Sequence, residues 1–145
     1  MLTVKRYVKM LLVVLMMCSF VSCTNNQKPQ DADAMFLFAI NKSKDTATLV
    51  YWLTQAAEHG SYFAQIDLAE DYHNGQDVPQ DDVRAYMWES LAIANTPAQI
   101  RTKDEQNSAQ TYLNWIASKL TDTQVAKAKQ MATEMYDKIL ATKSQ

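Results

Sequence analysis

The chain has 145 residues with 14 basic and 16 acidic side chains, and 48% of it is hydrophobic. That length suits one domain with a modest core and leaves no room for two. A formal charge of −2 gives no electrostatic reason to bind nucleic acid, and two Gly and three Pro with no useful alternating run argue against a β fold.

Lys5, Arg6 and Lys9 open the chain, and an apolar run from Met10 to Met17 extends to Val21. A basic start before an apolar run this short reads as a secretory signal rather than a membrane-spanning helix. The run closes in Phe20-Val21-Ser22-Cys23, followed by polar Thr24 to Gln27. A small residue before Cys at that point resembles the bacterial lipobox, with Phe20 standing where Leu is common. The resemblance implies that residues 1–22 are a lipoprotein signal peptide and that Cys23 becomes an acylated N-terminus carrying palmitate-type chains. Thr24 in place of Asp implies onward sorting to the outer membrane, facing the periplasm. The alternative is ordinary cleavage without lipid, or an uncleaved anchor. Cys18 is the poorer acceptor because bulky Met17 precedes it. With Cys18 in the signal and Cys23 at its boundary, the body of the protein has no thiol for a disulfide. Lys5, Arg6 and Lys9 leave with the signal and no acid does, so the mature chain is near −5. With no basic patch for anionic lipids, membrane attachment then rests on the acyl chains.

Residues 23–33 are polar, include Pro29 and have no apolar period, which reads as a flexible tether. Residues 34–145 read as one helical domain. Its first helix covers about Asp33 to Asn41 and carries Met35, Phe36, Phe38, Ala39 and Ile40. Thr46 to His59 follows, with Leu49, Trp52, Leu53, Ala56 and Ala57 on its buried side, and Gly60 stops it. Ser61 to His73 is the next, with Ala64, Leu68 and Tyr72 four apart on one face. Asn74-Gly75 breaks it, and Pro79 and Asp81 start another helix to Ala94. Ala85, Trp88 and Ala92 form the stripe of that helix, and Trp88 is expected in the core with its N–H satisfied locally.

These helices repeat. Trp52 stands 36 residues before Trp88, and at the same offset Phe36 answers Tyr72, Asp45 answers Asp81 and Ala56 answers Ala92. The spaced set Ala64, Leu68, Tyr72, Gly75, Val78, Asp81, Ala85, Trp88 and Ala92 resembles the Sel-one-like repeat, a relative of the tetratricopeptide repeat. Trp52, Ala56, Ala57 and Gly60 are similar to the second half of another copy. Ala69 and Asp77 replace glycines usual in that family. The resemblance implies a short tetratricopeptide-like helical solenoid and a habit of binding proteins, not an activity.

Beyond Pro97 the register is lost, and two longer helices are expected, about Ala98 to Leu120 and Asp122 to Leu140. Thr121 and Gln124 form a capping box for the second. Lys119 to Ala126 resembles a segment that often follows the last repeat in bacterial members of the family. Physically the pair is a cap, since a solenoid end exposes an apolar face. The fold class is therefore all-α, about two helix-turn-helix repeats plus a C-terminal capping helix pair.

No catalytic constellation stands out, no cofactor is implied, and no free Cys nucleophile or phosphate-cradling Gly loop occurs. His73, in a solvated turn near Asp71 and Asp77, is a poor transition-metal site by itself. Asp67, Glu70 and Asp71 are the clearest surface feature. In the related superhelix the first helices line the concave side, so these carboxylates would cradle a basic or polar partner segment, with Gln65 and Tyr62 nearby. The plainer reading is a solvated helix face. Trp115 lies beside its stripe and is expected to pack against the last helix rather than to serve as an exposed interface anchor. The expected function is a lipid-anchored envelope scaffold or adaptor without enzymatic activity, holding an unidentified envelope protein or peptide. The alternatives are an envelope enzyme or cell-wall ligand binder using His73 and nearby acids, and an inhibitor or immunity-type lipoprotein.

Overall fold

The computed structural model describes residues 31–97 and 102–143, so Cys23, the signal segment and most of the tether lie outside the described residues. Among the described residues there are six helices and no strand: α1 (Ala32–Lys42), α2 (Thr46–Glu58), α3 (Tyr62–Asn74), α4 (Asp82–Asn95), α5 (Lys103–Ala117) and α6 (Asp122–Lys143). The protein is all-α, a short helical-repeat solenoid. None of these helices is long and apolar enough to cross a membrane.

Three of the helix starts follow from aspartates. Asp31 Oδ1 accepts from the Ala34 N–H at 2.7 Å, and Asp45 Oδ1 accepts from the Thr48 N–H at 2.8 Å. Asp81 Oδ1 accepts from the N–H groups of Val83 and Arg84. Each satisfies a donor that the first turn leaves without an acceptor, a contribution of about 1 kcal/mol per cap. Hydrogen bonds from Thr48 hold the Asp45 carboxyl below its usual value. Asp45 and Asp81 cap equivalent helices, so the offset of 36 is a structural repeat. Asp31 starts α1 at Ala32, just inside the segment read as tether.

Two of the stops are glycines. Gly75 is left-handed, with φ of 66°, and its N–H donates to Asp71 O. Gly60, with φ of 89°, has a second reason to lack a side chain. A Cβ there would lie 2.9 Å from Ile139 Cγ2, because the far end of α6 passes over this turn.

The closing pair departs from the sequence expectation. Helix α5 starts at Lys103 because Thr102 and Glu105 form a reciprocal capping box. It ends at Ala117, three residues early, in a turn where the Leu120 N–H donates to Ala117 O. Thr121 and Gln124 then cap α6 as expected, the Thr121 N–H donating to Gln124 Oε1 at 2.9 Å.

Successive helices pack on one another from α1 through α5, and α6 folds back onto α4. Small residues make this possible: Ala56, Ala57, Ala64, Ala69, Ala85 and Ala92 are all essentially without exposure. Leu68, Trp88, Leu91 and Ile139 fill the space between them. A second cluster of Ala85, Tyr86, Leu113, Ile116 and Ala128 joins α4 to the closing pair, and Tyr72 touches both. Trp88 is buried as expected, but its indole N–H has no hydrogen-bond acceptor among the described residues. Gln65 is not a groove residue. It is completely buried and ties three helices together, its amide donating to Ala57 O at 2.9 Å and accepting from Asn95 at 3.2 Å. Satisfied on both sides, it costs the core little.

Candidate functional site

Helix α3 separates two acidic regions. Its residues Asp67, Glu70 and Asp71 share one hollow of about 250 Å³, as the sequence expectation requires. Ile40 from α1, Leu49 and Leu53 from α2, and Asn74, Gln76 and Asp77 from the following turn complete the lining. Partial burial, then the negative charges of Asp77, Asp67 and Glu70, push the Asp71 carboxyl up to about 6. Burial and Glu70 raise Asp67 as well. No Lys or Arg forms an ion pair with these acids among the described residues. Nor is any group of three described His, Cys, Asp or Glu side chains arranged to hold a metal ion. Their mutual repulsion is uncompensated, which favours a cationic visitor.

Across α3 lies a groove floored by α4 and walled by α5. A hollow of about 370 Å³ there is lined by residues that include Tyr62, Ile93, Glu105 and Ala109. One turn before Ile93 stands Glu89, only 4% exposed and without a hydrogen bond or ion pair among the described residues. Burial and then Glu70 push its carboxyl up to about 7. Its charge is felt on both walls. The Tyr62 phenol is raised by burial, Glu89 and Glu105, and that of Tyr112 is pushed up to about 12 by burial, Glu70, Glu89 and Asp82. Tyr62, expected beside the acidic trio, therefore belongs to this second region, and Glu70 acts on both.

His73 closes the far end of the groove, and here the structure corrects the sequence reading twice. The ring is buried rather than solvated, and Nδ1 lies 2.7 Å from Asp82 Oδ1, not on Asp71 or Asp77. It packs edge-on to Trp115 at 4.4 Å and to Tyr112 at 6.2 Å. Trp115 is 46% exposed and stacks on Tyr112, with the Lys119 ammonium 4.7 Å over its ring. The expected packing of Trp115 against the last helix does not occur, because α6 crosses to α4 and leaves this edge of α5 uncovered. Among the described residues no hydroxyl or thiol is hydrogen-bonded to His73 Nε2.

Glu89 escaped the sequence reading, although a signal was present. It stands four residues after Ala85 and three before Ala92, on the apolar stripe itself, where a carboxylate is out of place. Cys23, the expected acyl acceptor, lies outside the described residues. No family model matches the chain, and neither a curated protein nor a solved structure is significantly similar to it.

Proposed function

We propose that this protein is a lipid-anchored scaffold of the bacterial envelope, held at the outer membrane by acyl chains on Cys23 and binding a basic segment of a partner protein without catalysing a reaction. One observation carries the binding half: Asp67, Glu70, Asp71 and Asp77 share a hollow, and no cation among the described residues is paired with them. Charges so arranged give selectivity and a fast encounter more than raw affinity. The anchoring half rests on the lipobox-like ending at Cys23.

Both halves are open to direct test. The full chain in detergent serves as bait for an envelope extract, beside the triple variant Asp67→Lys, Glu70→Lys, Asp71→Lys, with helical content of both checked by circular dichroism. Retention of one protein by the wild type and its loss on the folded variant, with release at raised salt, is the expected outcome. Equal retention by both baits removes the acidic hollow from the reading. For the anchor, metabolic labelling with a palmitate analogue should mark the wild type and leave Cys23→Ser unlabelled. Label on the Ser variant would place the lipid elsewhere.

A further inference from the structure

Burying a carboxyl group away from water is expensive unless a partner satisfies it. Glu89 is 4% exposed, on the apolar stripe of α4, and nothing described donates to it or neutralises it. Among the described residues, the cations of α4 and of the turn after α5 are otherwise engaged. Arg84 donates to the Tyr72 hydroxyl and pairs with Asp81, and Lys119 lies over Trp115. The ionisable side chains that act on Glu89 or on the phenols beside it are all acids, namely Glu70, Asp82 and Glu105. The walls are aromatic, and rings beside a desolvated site add attraction for a cation.

We propose that Glu89 is the floor of a cation-selective well, which takes the ammonium or guanidinium of one Lys or Arg side chain from a partner peptide lying in the groove between α3 and α5, flanked by Tyr62 and Tyr112. This deepens the scaffold reading and rests on it. The groove is built for a residue in a chain rather than a free ion. Ile93 and Ala109 offer apolar contact at one end and Tyr112 with half-exposed Trp115 at the other, so the basic residue is expected between apolar neighbours. Insertion would place a positive charge beside a carboxylate that is mostly shielded from water yet still reachable from the groove, where a charge-assisted hydrogen bond is strong.

The test selects twelve-residue peptides from a displayed random library on the full chain in detergent. A selected peptide is resynthesised with each basic residue in turn replaced by norleucine. Affinities are measured by fluorescence anisotropy on the wild type, Glu89→Gln and the double variant Asp67→Asn, Asp71→Asn. The well requires one Lys or Arg whose replacement weakens wild-type binding about tenfold or more, as for a desolvated charged hydrogen bond. On Glu89→Gln that replacement should have little effect, and on the double variant the loss should persist. Carboxyl carbon NMR adds a readout that a structural role would not move: the Glu89 titration should fall towards the ordinary carboxylate range when the peptide binds. Equal discrimination on Glu89→Gln overturns the well and leaves the scaffold reading standing, whereas selected peptides without a basic residue overturn the well and the basic-segment part of the scaffold reading with it. Discrimination lost only on the double variant moves the contact to the other hollow and also overturns the well. Failure to enrich any peptide over a detergent control overturns both readings.

Discussion

The two acidic regions flank one helix, yet they differ in what raises their carboxyl groups. Burial is the largest influence on both, but in the Asp67–Asp71 hollow three neighbouring acids add to it at Asp71. In the groove a single acid, Glu70, acts on Glu89, which is otherwise raised by the protein closing over it. A solvated cluster of like charges is soft, since salt and side-chain motion relieve it. A mostly buried carboxyl has little room to move away or to draw in water, so most of its cost persists until a proton or a cation arrives. The difference teaches that the number of acids is a poor guide to where the electrostatic free energy sits.

The comparison can be broken most severely at His73, which closes the far end of the groove. His73→Ala removes the support of Trp115 and Tyr112 and leaves Asp82 without its 2.7 Å partner. Loss of a buried ring together with a charged hydrogen bond should cost about 3–4 kcal/mol. Urea unfolding would show it, and a loss below about 1 kcal/mol would mean that the groove end is held by other contacts.

Next in size is the pH dependence set by Glu89. Its folded-state value of about 7 lies above the ordinary 4.5, so the folded protein holds this proton more tightly than the unfolded chain. Its contribution is therefore favourable below the ordinary value and is lost as pH rises from about 4.5 towards 7. The fall should be on the order of 2–3 kcal/mol. Glu89→Gln should abolish that fall, matching the wild type near pH ~4 and exceeding it near pH ~8. Parallel curves for the two proteins would show that Glu89 is not ionised under strain.

Asp71→Asn has the same sign, because Asp71 is also raised, with its window between 3.8 and about 6. The gain in urea midpoint should be smaller than for Glu89→Gln, since this side chain is only partly buried. A larger gain would reverse the ranking of the two regions. The smallest effect expected is that of salt. Raising sodium chloride from about 0.05 M to about 1 M shortens the screening length severalfold. The Asp71 carboxyl should then titrate closer to its ordinary range while Glu89 moves less, which carboxyl carbon NMR can follow. Equal displacement would mean that Glu89 is as well solvated as Asp71.

The sequence by itself determined the helices, their order and most of their ends. Asp45, Asp81, Gly60, Gly75 and the Thr121–Gln124 pair act over three or four residues, so their meaning is local and legible. The offset of 36 between Trp52 and Trp88 likewise placed α2 and α4 in equivalent roles. The acidic trio was legible because one turn of helix brings Asp67, Glu70 and Asp71 together whatever else happens. Only the tertiary structure decided what those helices enclose. Gln65 became a core link between α2 and α4, His73 a buried partner of Asp82 on α4, and Trp115 an uncovered ring because α6 crosses to α4 instead of lying along α5. Glu89 shows the reason most plainly. A helix stripe tells which residues face inward, but whether a buried carboxyl finds a partner depends on side chains from other helices, and spacing along the chain does not encode their approach.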